Sequence, residues 1–217
     1  MKEKLTVIID YNLGNLFSVK HACDHVGLNT VTSNDIDLIK KADALILPGV
    51  GAFGEAMNNI DQLNIRDAII ERTQAGIPLL GVCLGLQLLF DESEEFGHQK
   101  GLGLLAGKVK KLPGRSSDGK KFKVPQIAWN SIHATENLWE KSALNSVKDG
   151  EYFYFVHSYY VAPENDSEIL CTTQYAGMKY CSGVMKNNII AFQFHPEKSG
   201  EKGISIYRNW AEQNDLL

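Results

Sequence analysis

Short apolar runs alternate with amphipathic segments through the first half of the chain. The runs lie at 5–9, 31–32, 44–47 and 77–82. They are short enough for buried strands and end near turn-forming residues. Apolar residues recur at helical spacing at 16–26, 55–63, 66–75 and 86–92. Strands that alternate with helices predict an α/β fold, with a mostly parallel central sheet and helices on both faces.

The second half of the chain has a different pattern. Strand candidates at 152–156, 169–173, 183–186 and 189–194 follow one another with little helix between them. We therefore expect an added region of antiparallel or mixed strands that extends the sheet. A final helix carries Ile204, Tyr207 and Trp210 at helical spacing. A chain of 217 residues can bury all of this in one domain, over residues 1–217.

Composition excludes several classes of protein. The net charge of -4 argues against a general polyanion binder, which needs clustered Lys and Arg. The basic stretch at 108–123 is predicted to be a solvated loop. No apolar run approaches the roughly 20 residues that cross a bilayer, and the four cysteines lack the spacing of a zinc site. We expect a cytoplasmic protein with free thiols that binds no nucleic acid, membrane, metal or cofactor.

One cysteine has an unusual sequence around it. Cys83 lies in Gly81-Val82-Cys83-Leu84-Gly85, between a predicted strand and a predicted helix. The pattern is the thiol counterpart of the nucleophile elbow, where a Cβ at either glycine would clash. A helix N-terminus favours the thiolate, and the Leu84 N–H could stabilise an oxyanion. The alternative, a small buried hydrophobe, suits Cys23 and Cys171 better.

A histidine and a carboxylate follow in the segment Phe194-His195-Pro196-Glu197, at the end of a predicted strand. A nucleophilic thiol needs a base, and the base needs a group that orients it. His195 and Glu197 are separated by a proline that ends the strand and fixes the backbone. Both side chains can therefore point the same way. The histidines without comparable context are His21, His25, His98 and His133.

The segments Cys83-Leu84-Gly85-Leu86-Gln87 and Phe194-His195-Pro196-Glu197 resemble the two signatures of the class I, or triad, glutamine amidotransferases. The resemblance covers nearly the whole chain and implies the fold of that family. In the family, the cysteine forms a glutamyl thioester, the histidine acts as acid and base, and the glutamate orients the histidine. The resemblance gives these roles to Cys83, His195 and Glu197, and it makes Gln87 a substrate-binding residue.

A glycine motif at 49–54 satisfies G-x-G-x-x-G, so a dinucleotide site is an alternative. That motif normally opens the first βαβ unit, whereas here it follows a later strand and Pro48 precedes it. By the family resemblance, this loop faces the cysteine and supplies an oxyanion N–H from Val50 or Gly51. Gly51 is also expected to bind substrate. Glycine suits the loop because its peptide can flip.

Three further segments, at 10–15, 125–130 and 154–160, resemble the glutaminase subunits of imidazole glycerol phosphate synthases. In that group the glutaminase docks on a (β/α)8-barrel cyclase as a heterodimer, and ammonia passes between the subunits to make a histidine precursor. The positions that match the interface and the ammonia passage are Asn12, Asn15, Trp129, Tyr154 and Lys198. The backbone at Ser158 and Tyr159 is expected to contact glutamine.

Other interpretations stay open at this point. Trp129 and the nearby tyrosines also suit ordinary core and strand positions. Ala128, beside Trp129, stands where the family more often has glycine, and this difference weakens the assignment of a partner-binding surface there. A related glutaminase supplies ammonia to a sugar amidotransferase in surface-polysaccharide synthesis. A catalytically silent binding module of the same fold would lack a triad residue, and a related cysteine hydrolase or peptidase would lack Gln87.

Overall fold

The computed structural model describes residues 4–116, 119–135 and 138–217. The helices are α1 (Leu16–Val26), α2 (Ile36–Lys41), α3 (Phe53–Gln62), α4 (Arg66–Gln74), α5 (Leu84–Leu88) and α6 (Gly200–Gln213). The strands of the first half are β1 (Thr6–Ile9), β2 (Thr30–Ser33), β3 (Ala44–Gly49), β4 (Leu79–Cys83), β5 (Phe90–Ser93), β6 (Gln99–Lys100) and β7 (Leu105–Lys111). Those of the second half are β8 (Gln126–Ser131), β9 (His133–Ala134), β10 (Tyr152–His157), β11 (Tyr159–Pro163), β12 (Ile169–Tyr175), β13 (Met178–Lys186) and β14 (Ile189–Phe192).

Within these ranges, twelve strands form one sheet in the order β2-β1-β3-β4-β14-β13-β11-β7-β5-β6, in which β12 also pairs with β13, and β9 pairs with β12. The run from β2 to β14 is parallel, whereas β13 pairs antiparallel with β14 and β11. Parallel strands extended by antiparallel ones confirm the predicted fold class. The central strand β4 lies between β3 and β14, so the carboxyl ends of these three strands are neighbours.

Helices cover both faces of the sheet because neighbouring side chains of a strand point to opposite sides. In β1, Ile8 joins a core that also contains Val19 of α1 and Ile206 of α6. Its neighbours Val7 and Ile9 join a second core with residues of α3 and α4. Among the described residues, no helix has both the length and the apolar character needed to cross a bilayer.

The helix predicted at 86–92 is shorter than expected, and this prediction is wrong at its end. The helix stops at Leu88, and residues 90–93 form β5. The cause is a tertiary contact: the Leu88 carbonyl accepts from the Leu102 N–H at 2.8 Å, and Phe90 pairs with Leu105 in β7. An apolar run of this length can form either a helix or a strand, and its partner decides which.

The strand predicted at 152–156 exists as β10, but it does not extend the main sheet. It pairs antiparallel with β8 in a separate two-stranded ribbon, in which Tyr154 lies opposite Trp129. The expectation of one extended sheet is therefore wrong for this strand. The alternation of buried and exposed residues shows that one face of a strand is covered, but it does not identify the strand with which it pairs.

Two other local features of the structure differ from what the sequence indicated. Residues 108–111 of the predicted loop at 108–123 belong to β7, where Val109 is buried between exposed lysines, and Ser117 and Asp118 of that stretch lie outside the described residues. The short helix α2 was not predicted from the sequence. Asp35 is its N-cap, whose side chain accepts from the N–H groups of Asp37 and Leu38, and Ile39 is its one buried residue. A single buried position gives no periodicity to detect.

Candidate active site

Cys83 lies on a strained turn at the carboxyl end of β4. Its backbone has φ 55° and ψ -107°, a conformation that costs a residue with a side chain on the order of 1–3 kcal/mol. An added Cβ at Gly81 would lie 2.8 Å from the Ala191 Cβ, and one at Gly85 would lie 1.7 Å from the Leu47 carbonyl oxygen. The predicted clash at both glycines is confirmed. Close packing of β4 and α5 on the adjacent strands therefore requires this spacing of glycines.

His195 follows the neighbouring strand β14. Its Nδ1 donates to the Glu197 Oε1 at 2.8 Å, and both side chains are 1% exposed. Pro196 opens a 3₁₀ turn, Pro196–Lys198, that places the carboxylate beside the ring. The His195 N–H donates to the Tyr154 carbonyl at 2.9 Å. These bonds fix the imidazole in one orientation and leave Nε2 as the nitrogen available for proton transfer.

The charge state of His195 depends on opposing effects. Burial lowers the pKa of the imidazole, but the negative charge of the Cys83 thiolate and the hydrogen bond to Glu197 outweigh burial and raise the pKa to about 10. Nε2 is itself buried without a hydrogen-bond partner among the described residues. A thiolate beside a protonated imidazole is the reactive form of a cysteine nucleophile.

Cys83 differs from the other three cysteines in its surroundings. Cys83 alone of the four lines the cavity of about 440 Å³, a volume that suits a small-molecule ligand. Burial raises the pKa of Cys23 and of Cys171 to about 12, and it also raises the pKa of Cys181. The alternative of a small buried hydrophobe therefore describes those three residues but not Cys83.

The cavity collects most of the residues that the sequence singled out. Its wall includes Val50, Gly51, Cys83, Leu84, Gln87, Tyr154, Ser158, Tyr159 and Lys198. Five others do not line it. They are Asn12, Asn15, Trp129, His195 and Glu197. Asn15 nevertheless reaches the triad, because its Nδ2 lies 3.5 Å from the Glu197 Oε1.

The glycine loop after β3 is packed against the protein rather than open to a cofactor. A Cβ at Gly49 would lie 1.9 Å from the Tyr11 hydroxyl, which donates to the Pro48 carbonyl at 2.6 Å. The backbone of Gly51 has φ 108°, a value that favours glycine. The buried Tyr11 packs against the first glycine of the motif, so this geometry disfavours the dinucleotide alternative. Tyr11 was not identified from the sequence as a residue that supports this loop.

Gln87 lies on α5, one helical turn beyond Cys83. Its Nε2 donates to the Tyr159 carbonyl and to the Gln193 Oε1, both at 3.0 Å. These two bonds use both amide hydrogens, so the Oε1 of Gln87 is the atom left to accept a hydrogen bond from a ligand.

A buried histidine supports the opposite wall. Nδ1 of His157 lies 2.8 Å from the Tyr159 carbonyl, and Nε2 lies 3.1 Å from the Tyr180 hydroxyl. Burial is the largest cause that lowers the pKa of His157, to about 4, so the ring is neutral at physiological pH. It fixes the Tyr159 carbonyl that Gln87 also contacts. The sequence indicated the segment at 154–160 as a whole, but not this role.

Glu95 was also missed. Its carboxylate accepts from the Phe53 N–H at 2.6 Å and lies in the cavity wall. Glu95 ends an acidic stretch, and nothing in the sequence separates it from Glu92 or Glu94. Within the described ranges there is no group of three or more His, Cys, Asp or Glu residues arranged to hold a metal ion.

Comparison with known proteins agrees with this arrangement. Residues 7–213 match the family model of class-I glutamine amidotransferases. The chain is 45% identical to the imidazole glycerol phosphate synthase subunit HisH of Aquifex aeolicus, over 98% of both chains. It is 46% identical to the HisH of Lactococcus lactis, over 97% of this chain and 99% of that one. The solved structure of PurLQS from Thermotoga maritima has the same fold, with a TM-score of 0.70, 18% identity and coverage of 97% and 98%. The chain therefore belongs to the class I glutamine amidotransferase family, within the group of HisH subunits.

Proposed function

We propose that this chain hydrolyses glutamine through Cys83 and supplies the ammonia to a cyclase subunit of imidazole glycerol phosphate synthase. The observation that carries the proposal is the arrangement of Cys83, His195 and Glu197 at one end of three adjacent strands, with the sulfur facing a cavity. Ligands of α/β sheets commonly bind at the carboxyl ends of the strands. Residues 1–217 are proposed to act as one amidotransferase domain.

In the proposed reaction, the Cys83 thiolate attacks the Cδ of glutamine and forms a tetrahedral intermediate. His195 then gives its proton to the amide nitrogen, the C–N bond breaks, and ammonia leaves a glutamyl thioester on Cys83. His195 next takes a proton from a water molecule, whose oxygen attacks the thioester carbon. The C–S bond breaks, glutamate leaves, and the thiolate and the protonated imidazole are restored. Glu197 holds the ring through Nδ1 and stabilises its positive charge.

The same cavity can bind the substrate and its oxyanion. Leu84, Val50 and Gly51 lie in the same cavity wall as Cys83. We assign them to the oxyanion hole. Gln87, with its free Oε1, and the backbone of Ser158 and Tyr159 are assigned to glutamine binding. The loop at Gly51 can present its N–H groups only if the peptide is oriented correctly, which glycine permits.

The two-stranded ribbon provides a surface for the partner. Ile127, Trp129 and Tyr152 are 60%, 53% and 57% exposed and lie on one face of the ribbon. Tyr154 and Val156 continue that face into the cavity wall. An exposed aromatic face of this kind is typical of a protein interface. Because it borders the cavity mouth, a partner that covers it would also seal the site from bulk water.

Tyr154 connects that surface to the triad. Its ring centroid is 6.3 Å from that of Trp129 and 6.3 Å from that of His195. We assign Tyr154 to the ammonia passage, and Asn12, Asn15, Trp129 and Lys198 to the interface with a partner of the (β/α)8-barrel type. All four cysteines are free thiols, which agrees with a reducing compartment such as the cytoplasm.

The proposal predicts weak activity of the chain alone. Without its partner the oxyanion loop is expected to lack its competent form, and the loss of one oxyanion donor lowers kcat by about 100-fold or more. Glutamate release should be measured for the chain alone, for the complex with the cyclase, and for the complex with cyclase substrate. High activity of the chain alone would contradict the predicted activation, and an inactive complex would contradict the proposed function.

The interface makes a second prediction. Trp129→Ala should weaken binding of the cyclase by about 30-fold, as expected for an aromatic residue at the centre of an interface. Binding can be measured by calorimetry. The control is Ile36→Ala, because Ile36 is partly exposed on α2, which packs on α4 and β1, away from the ribbon. Equal affinities of the two variants would exclude the ribbon as the docking surface.

A further inference from the structure

Gln193 forms hydrogen bonds with both Gln87 and Cys83. It is completely buried and lies between β14 and His195 in the chain. Its Oε1 accepts from the Nε2 of Gln87 at 3.0 Å, and its Nε2 donates to the Sγ of Cys83 at 3.7 Å. The backbone N–H of Gln193 donates to the Ser182 carbonyl at 2.9 Å. A continuous chain of hydrogen bonds therefore runs from the Tyr159 carbonyl through both amides to the sulfur.

The orientation of the Gln193 amide follows from its partners. Gln87 donates its two amide hydrogens to the Tyr159 carbonyl and to Gln193, so the atom of Gln193 that faces Gln87 must be the oxygen. The amide nitrogen of Gln193 must then face Cys83. A flipped amide would place two NH₂ groups against each other, which is unfavourable because both side chains are buried.

The two neutral contacts of the Cys83 sulfur favour opposite protonation states. The thiol donates to the Val156 carbonyl at 3.9 Å, and a carbonyl cannot stabilise a thiolate because it has no hydrogen to donate. The Gln193 amide has such a hydrogen. A hydrogen bond to the charged form of a group lowers the pKa of an acid, and its effect is large in a buried site.

We propose that Gln193 is a catalytic residue that stabilises the Cys83 thiolate by donating a hydrogen bond to it, and that Gln87 holds Gln193 in the donating orientation. This inference rests on the proposed role of Cys83 as the nucleophile. It gives Gln87 a second role besides substrate binding, and it adds a neutral donor to the charge of His195. Among the side chains of the described residues, Gln193 is the only neutral group that donates a hydrogen bond to the Cys83 sulfur.

The test measures the ionisation of Cys83 rather than glutamine hydrolysis. The rate of alkylation by iodoacetamide is followed against pH in the full chain, and Cys83→Ala gives the background from the buried thiols. In Gln193→Met, which preserves the length of the side chain but has no donor, the alkylation midpoint should move up by about one pH unit. Gln87→Met should move it in the same direction by less. An unchanged midpoint in folded Gln193→Met overturns the proposal.

Two further measurements keep the test decisive. Thr173→Val removes another buried hydrogen bond of the same sheet, from Thr173 Oγ1 to Ser182 Oγ, and should not move the midpoint. If Gln193→Met does not fold, the side-chain amide of Gln193 is observed by NMR in the unmodified chain. Its shift should follow the ionisation of Cys83 and lose that titration in Cys83→Ala; no titration overturns the proposal. If the midpoint shifts as expected but the complex does not hydrolyse glutamine, the proposed function is refuted and the proposed role of Gln193 is not.

Discussion

Cys83→Ala is expected to abolish glutamine hydrolysis by the complex with the cyclase, with a loss of at least about 10⁴-fold in kcat. The substitution removes the atom that bonds to the substrate, and no other described thiol lines the cavity. His195 and Glu197 alone cannot form a thioester. Glutamate release is measured at saturating glutamine, with the cyclase substrate present so that the complex is in its active form.

The same variant should remain folded and should still bind the cyclase. The loss of one buried sulfur costs about 1 kcal/mol, and alanine keeps the backbone geometry of the turn. Cys181→Ala is the matched control, because it also removes a buried thiol whose hydrogen bond goes to the Gly183 carbonyl, outside the site. Cys181→Ala should keep its activity. Substantial hydrolysis by Cys83→Ala, or equal losses in both variants, would refute the role given to Cys83.

The second large effect is on stability. Gly85→Ala should destabilise the chain by at least about 4 kcal/mol, in the range of severe core substitutions, and should lower Tm by about 10 °C. The new Cβ would lie 1.7 Å from the Leu47 carbonyl oxygen and 2.7 Å from its carbon. Backbone in the middle of a buried sheet cannot move aside as a flexible side chain can. Thermal unfolding followed by circular dichroism measures the change.

Gly114→Ala is the control for the glycine prediction. Apart from its chain neighbours, no described residue has an atom within 4 Å of a Cβ built at Gly114, and its φ is not in the left-handed region, so Tm should stay nearly the same. A Gly85→Ala chain as stable as the Gly114→Ala chain would mean that α5 does not pack on β3 as closely as described. The strained backbone of Cys83 would then lose the contacts that hold it in place.

The two histidines near the site show how the surroundings decide the chemistry of one residue type. Burial lowers the pKa of both rings. At His157 burial outweighs the hydrogen bond to the Tyr159 backbone, the charge of His195 acts in the same direction as burial, and the pKa falls to about 4. At His195 the Cys83 thiolate and Glu197 overcome burial, and the pKa rises to about 10. His157 is therefore suited to a structural role as a neutral ring, whereas His195 can give a proton to a leaving group.

Local patterns in the sequence were sufficient to identify several parts of the site. The elbow around Cys83 could be recognised from neighbouring residues, since two glycines at this spacing mark a strand that turns sharply into a packed helix. The atoms that exclude a side chain there, in Leu47 and Ala191, belong to other strands. The pair His195 and Glu197 is likewise local, because one proline sets the geometry between the two residues. The strand and helix periods of the first half were also sufficient for the class of fold, although they missed α2 and the strand β5.

The rest depended on contacts between distant parts of the chain. Gln193 contacts Cys83 across 110 positions, and Tyr11 contacts the glycine loop across 37. Periodicity does not encode such contacts. The end of α5 and the separate ribbon of β8 and β10 were missed for the same reason, since the strand that supplies the hydrogen bonds lies elsewhere in the chain.

The sequence by itself determined which residue types could carry the reaction and which elements present them, because turn motifs and side-chain period are properties of neighbouring residues. The tertiary structure alone decided the charge of His195, the direction of the Gln193 amide and the surface that faces the cavity mouth. Burial, hydrogen-bond partners and electrostatic interactions set these properties, and each exists only after the chain has brought distant residues together.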